Sequence, residues 1–166
     1  MPTKDNLKNA FAGESQTNPK YLAYAQIAEK EGYPGIAKLF RAAAEGETVH
    51  ARAHLRAMGE LKATADNLQE AIAGEQAEFK EMYPKYLEEA RAEGDQKALN
   101  SFKNARAVEQ VHASLFIEAL GAVQTEKDMR TRAIYVCQIC GNIVLDKTPP
   151  SCPVCEAKPE EYEEVK

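Results

Sequence analysis

Phe40-Arg-Ala-Ala-Ala-Glu-Gly-Glu47-Thr-Val-His50-Ala51 returns 62 positions later as Phe102-Lys-Asn-Ala-Arg-Ala-Val-Glu109-Gln-Val-His112-Ala113. Phe, Glu, Val, His and Ala hold the same places in both copies. Phe and Glu are seven residues apart and His follows three later, so on a helix all three lie along one face. That face begins with an aromatic ring that must seek a core. A carboxylate and an imidazole are therefore aimed inward, twice. An isolated Glu in so acidic a chain is ordinarily a solvated surface charge, but the repeated register argues against that reading here.

The repeat extends beyond these segments. Ala12-Gly13-Glu14 returns as Ala73-Gly74-Glu75, and Glu31-Gly32 returns as Glu93-Gly94. A helical hairpin has been duplicated, each copy carrying a Glu on its first helix and Glu-x-x-His on its second. Residues 3 to about 128 are rich in strong helix formers, with apolar residues recurring at threes and fours. The expected helices are 3–31, 34–61, 66–93 and 95–127. Pro34 suits a first helical turn and Gly94 the left-handed position that ends a helix. Asp66 with Gln69 resembles a capping box. Pro84 should kink the third helix rather than end it. Four helices with short turns predict a mainly α four-helix bundle.

Glu14 continues the face of Leu7 and Phe11, and Glu75 that of Leu68 and Ile72, with Glu78 one turn beyond. Counted from the turns, Glu14, Glu47, Glu75, Glu78 and Glu109 fall at similar depth, in one mid-bundle layer. A core holding five carboxylates and two imidazoles needs compensating charge, because burying an ionised carboxylate costs several kcal/mol. Two divalent cations would provide it, and oxygen-rich ligands with a few imidazoles suit iron or manganese. One Glu from each of two helices plus Glu-x-x-His from the other two is a di-metal carboxylate pattern. His54 shares the face of His50, but the second hairpin has no match, so it reads as a packed or supporting histidine. Tyr21 and Tyr83 read as core aromatics or as hydroxyl partners of the ligands.

The rest of the chain has different physics. Twenty-five of the 27 alanines precede residue 131, whereas all four cysteines follow residue 136. The expected domains are 1–130, helical, and 131–166, with the join near 128–134. Cys137-Gln-Ile-Cys140 and Cys152-Pro-Val-Cys155 are two Cys-x-x-Cys units whose spacing lets four thiolates surround one tetrahedral metal. So small a segment cannot build a sufficient core, and the metal would supply folding free energy. Short strands are expected at Tyr135-Val136 and Ile143-Val144-Leu145. The spacing by itself leaves zinc and iron even.

Charge and hydropathy narrow the function. With 26 acidic against 21 basic residues, net −5, no basic stripe offers phosphate binding, so no nucleic-acid partner is expected. No stretch is long and apolar enough to span a membrane, and no apolar run follows the first residues as in an export signal. A cytoplasmic protein is the expectation.

Taken together, Phe11-Ala-Gly-Glu-Ser15, Glu47-Thr-Val-His50, Gly74-Glu-Gln-Ala-Glu-Phe-Lys-Glu-Met-Tyr-Pro84, Glu109-Gln-Val-His112 and the two cysteine knuckles closely resemble the rubrerythrin family over essentially the whole chain. The resemblance implies a ferritin-like di-iron bundle followed by a rubredoxin-like module with one iron on four cysteines, and peroxidase activity in oxidative-stress defence. By motif match it implies Glu14, Glu47, Glu75, Glu78, Glu109 and His112 as di-iron ligands. His50 would be the redox-dependent ligand that exchanges with Glu78, with Thr17 at the repeat position opposite Glu78. Tyr21 and Tyr83 resemble the family's supporting tyrosines, and Cys137, Cys140, Cys152 and Cys155 would hold the third iron, with zinc an alternative occupant. Hydrogen peroxide would be the substrate, and an external rubredoxin or NAD(P)H-dependent reductase the donor, since no Gly-rich dinucleotide fingerprint is present.

Two departures stand out. Glu156 follows Cys155 where simple rubredoxins usually have glycine. The connection near residues 62–65 is too short for the long crossover of ferritin-like bundles, so either the bundle is simple up-down or, the favoured expectation, each hairpin pairs with a hairpin of a second chain in an exchanged homodimer. A ferroxidase or iron-storage protein is the rival reading, though storage needs no attached electron carrier. A zinc-ribbon module on a metal-free bundle is a second.

Overall fold

The computed structural model describes residues 1–130 and 133–166. The chain is mainly α with a small antiparallel sheet at its C-terminal end, and it divides into two compact units, Met1–Lys62 and Ala63–Lys166. The boundary between them falls between the two copies of the duplicated hairpin. The expected join between helical and cysteine regions runs through Thr131 and Arg132, which lie outside the described residues.

The first unit is a hairpin of α1 (Pro2–Lys30) and α2 (Pro34–Met58). Both open on proline in the first turn, where the missing N–H would have no partner anyway. Ala25, Ala28, Ala37 and Ala44 are buried between the helices, and Phe40 packs against the first three. Such small side chains let the two backbones approach closely. Asn18 fastens them, its Nδ2 donating to the Ala44 carbonyl at 2.7 Å and to Thr48 Oγ1 at 2.8 Å.

The second unit begins with α3 (Thr64–Ala77), a π-helical turn (Glu78–Met82) and α4 (Tyr83–Glu93), which run on without a break. The expected effect of Pro84 takes this form. The Tyr83 N–H bonds to the Glu78 carbonyl, five residues back, and Pro84 has no N–H to offer the next carbonyl. That carbonyl, of Phe79, accepts instead from Arg106 Nε at 3.1 Å. The expected capping box is corrected: α3 starts two residues early, with Ala63 at its N-cap and no side-chain cap, so Asp66 lies inside the first turn.

Gly94, at φ +71°, closes α4 as expected. Gly94 N–H and Asp95 N–H bond back to Arg91 and Ala90. Asp95 then caps α5 (Gln96–Gln124), its Oδ1 accepting from Lys97 and Ala98 N–H at 3.0 and 2.9 Å.

Among the described residues three strands follow: β1 (Ile134–Cys137), β2 (Ile143–Leu145) and β3 (Tyr162–Glu164), in the order β2-β1-β3 and antiparallel throughout. The first two match expectation; the third was not anticipated. Cys137 stands opposite Tyr162 in the ladder, and both are buried with Cys152. No helix among the described residues is long and apolar enough to cross a membrane.

Candidate metal centres

In the first unit, α1 presents Glu14 and α2 presents Glu47 and His50, with one ligand atom from each lying within 4.8 Å of the others. His50 Nδ1 lies 3.2 Å from Glu47 Oε2 and 3.9 Å from Glu14 Oε1. The Glu14 and Glu47 carboxyls bond to each other. That contact raises Glu14 above the ordinary carboxylate range, helped by burial, and lowers Glu47. The His50 side chain is 61% exposed, so the expectation that it points into a closed core is not met within this unit. His54, half-buried one turn on, acts on Glu14 by its charge. Thr17 spends its hydroxyl on the Gly13 carbonyl at 2.9 Å.

The second unit repeats the arrangement. Glu75 on α3 meets Glu109 and His112 on α5 within the same 4.8 Å limit. His112 Nδ1 lies 2.9 Å from Glu109 Oε2 and 3.8 Å from Glu75 Oε2. Burial first, and then the Glu109 charge, push Glu75 above its ordinary range. Glu78, at the start of the π-helical turn, is raised by burial and by the Glu75 charge. Tyr83 is raised by burial, then by Glu109 and Glu78. Tyr83 belongs to an aromatic group with Tyr86 and Phe102, and Tyr21 to its counterpart with Tyr24 and Phe40. The duplication is thus preserved in three dimensions, ring for ring.

His112 also contacts the cysteine module. Its Nε2 lies 3.2 Å from the Gly141 carbonyl. A carbonyl only accepts, so Nε2 is the donor to Gly141, and Nδ1 is the nitrogen that faces the Glu75 and Glu109 carboxylates. A metal-binding histidine is oriented by such a bond at its other nitrogen.

The four cysteines converge, all Sγ atoms within 4.8 Å of one another. Cys137 and Cys155 sulfurs are 3.7 Å apart, and Cys140 and Cys152 sulfurs 3.6 Å. A disulfide would bring them to about 2.05 Å, whereas a tetrahedral metal with bonds of about 2.3 Å sets them about 3.8 Å apart. The two knuckles share one backbone device. Gly141 N–H returns to the Cys137 carbonyl at 2.8 Å, and Glu156 N–H to the Cys152 carbonyl at 2.9 Å, both residues at positive φ (84° and 62°). Burial opposes ionisation of Cys152. The Tyr162 hydroxyl and the N–H groups of Cys155 and Val154 outweigh it and bring the thiol down to about 6. Burial drives Cys140 strongly upward, and burial with the Cys152 sulfur pushes Tyr162 up to about 12.

Sequence reasoning missed Tyr162 and its partner Asn142. A lone tyrosine 7 residues beyond the last cysteine carries no periodic signal, and only the β1–β3 ladder brings it home.

Both donor sets fit metal ions. Two carboxylates and an imidazole converging in each triad mark a place where a cation would relieve repulsion, and four thiols at tetrahedral spacing suit a thiophilic ion. These features define a helical metalloprotein with duplicated carboxylate–imidazole triads and a tetrathiolate module. The rubrerythrin family model matches residues 5–120. Rubrerythrin-2 of Clostridium acetobutylicum is 37% identical, the match covering 97% of this chain and 95% of that protein. Nigerythrin of Nitratidesulfovibrio vulgaris is 32% identical, over 92% of this chain and 81% of its own. The solved structure of partially reduced nigerythrin aligns with TM-score 0.59 at 30% identity, covering 98% of this chain and 86% of that one.

The chain belongs to the rubrerythrin family. It is therefore an iron protein, with a di-iron centre and one rubredoxin-like iron, and an oxidoreductase of oxidative-stress defence supplied by external electron donors such as rubredoxin.

Proposed function

We propose that the protein reduces hydrogen peroxide to two water molecules, taking up two electrons and two protons per turnover. Glu14, Glu47, Glu75, Glu78, Glu109 and His112 are the proposed di-iron ligands, with His50 exchanging with Glu78 on change of redox state. Cys137, Cys140, Cys152 and Cys155 are the proposed ligands of the third iron. When bound, the paired irons supply two electrons and Lewis acidity for O–O cleavage, and the tetrathiolate iron a one-electron reservoir.

The chain's own groups are matched to this task. Tyr83, close enough to Glu109 and Glu78 to feel their charge, and Tyr21, its counterpart in the repeat, are the proposed supporting tyrosines of the ligand carboxylates. The observation that carries the reading is the His112 Nε2 contact with the Gly141 carbonyl. It is a short bonded path from the residue after Cys140 to a carboxylate triad, which a storage protein would not need.

The donor is a rubredoxin or an NAD(P)H-dependent reductase, so the overall reaction is that of an NADH peroxidase. The cytoplasm suits the four free thiols. The assembly is a homodimer with exchanged hairpins. Only Gly59–Ala63 separate α2 from α3, about 17 Å of chain, whereas α2 itself, with 25 residues, is about 38 Å long. Ile36 and Leu39, 49% and 69% exposed, lie on or beside the Glu47 face of α2 and offer apolar area for a second copy.

The test is peroxide turnover by iron-loaded Glu109→Ala. Loss of more than about a hundredfold is expected, with the iron–thiolate colour retained. Undiminished turnover would refute the site.

A further inference from the structure

The cysteine module contains a buried polar pair outside its four thiols. Asn142 is 1% exposed and Tyr162 8%, and Asn142 Nδ2 donates to the Tyr162 hydroxyl oxygen at 3.0 Å. Tyr162 packs with Cys137 and Cys152, fixed there by its place opposite Cys137 in the β1–β3 ladder. A phenol oxygen that accepts from an amide retains its own hydrogen to give. Among the side chains buried with it, the Cys152 sulfur is the acceptor whose ionised form the hydroxyl favours. Other donors to these sulfurs are backbone N–H groups, which almost any residue supplies; Tyr162 contributes a donor that depends on its identity.

We propose that Tyr162 is a positioning residue that raises the reduction potential of the tetrathiolate iron by donating an O–H···S hydrogen bond to Cys152, with Asn142 holding the hydroxyl in place. The proposal rests on the family's iron occupying the four cysteines. A ferric ion with four thiolates carries one net negative charge, and a ferrous ion two. A donor aimed at sulfur stabilises the more negative state more, and hydrogen bonds to cluster sulfurs are among the terms that set such potentials. One electron enters on reduction, no covalent bond forms or breaks, and the phenol keeps its proton. The consequence is a module that accepts an electron more readily from its donor, and holds it more firmly, than the same four cysteines without the hydroxyl.

The test is a redox titration of iron-loaded Tyr162→Phe, followed by the iron–thiolate absorption. The ratio of reduced to oxidised module at a fixed solution potential should fall about tenfold, equivalent to about 59 mV for a one-electron couple. A second protein carries 3-fluorotyrosine at position 162, a more acidic phenol of nearly the same shape. Its ratio should rise, a change that a purely packing role would not produce. If Tyr162→Phe fails to hold iron, the fluorotyrosine protein decides alone. An unshifted potential there overturns the role of Tyr162 and leaves the iron assignment standing. An unaltered protein that takes up no iron overturns both.

Discussion

Glu14, Glu75 and Glu78 each hold protons more tightly in the fold than in an unfolded chain, for causes that differ: Glu14 chiefly through the Glu47 carboxyl, the other two chiefly through burial. The stability they contribute is fully present below the ordinary carboxylate value of 4.5 and is lost as pH rises through their raised values. Glu47 and Cys152, both lowered, act in the opposite sense. The contribution of Glu75 is therefore read by difference: between about pH 5 and pH 7 the urea midpoint of the metal-free protein should fall less, or rise more, in Glu75→Gln than in the unaltered protein. An identical pH dependence in the two proteins would contradict the assignment of Glu75. Metal must displace the same protons, so affinity for ferrous ion should rise with pH over this window. Glu14 and Glu75 stood out in the sequence because duplication wrote their pattern twice, whereas Glu78, with Thr17 opposite it in the repeat, was singled out by its helical spacing from Glu75 and by the family resemblance. Asn142 and Tyr162 were not legible there, because their meaning depends on the β1–β3 pairing that carries Tyr162 to a side chain 20 residues away in sequence.

At the scale of elements, the helices follow from composition and periodicity, and Gly94 ends α4 as its conformational freedom suggests. The π-helical turn is less accessible to such reasoning. A proline inside a helical pattern announces a disturbance, but whether it becomes a kink or an extra residue in the turn depends on what receives the orphaned carbonyl, here Arg106 from another helix. Glu156 is the converse case. Its departure from glycine was visible in the sequence, and the structure gives its cost: a left-handed residue at φ 62° that pairs in geometry with Gly141. Glu156→Gly should stabilise the iron-loaded module by about 1 kcal/mol, read as a higher guanidinium concentration for loss of the iron–thiolate band. No gain would mean that the side chain repays its strain elsewhere.

For the whole molecule, the family fixes the cofactors, and the duplicated hairpin explains why one chain carries two triads of the same kind. The proposed exchange of hairpins makes the working centre a property of two chains. Light scattering at micromolar concentration should give twice the 18.3 kDa of the single chain; a monomeric mass with turnover intact would reject the exchange. The formal charge of −5 describes only the metal-free chain, since cations on the carboxylates and ionised thiols both alter it. The most direct test of the peroxidase reading is to reduce the iron-loaded protein without oxygen and add hydrogen peroxide in small portions. The account predicts that peroxide is consumed, with one molecule removed for every two electrons stored, and that the ferric–thiolate colour returns as it disappears. Peroxide left intact, with the protein still reduced, would contradict it.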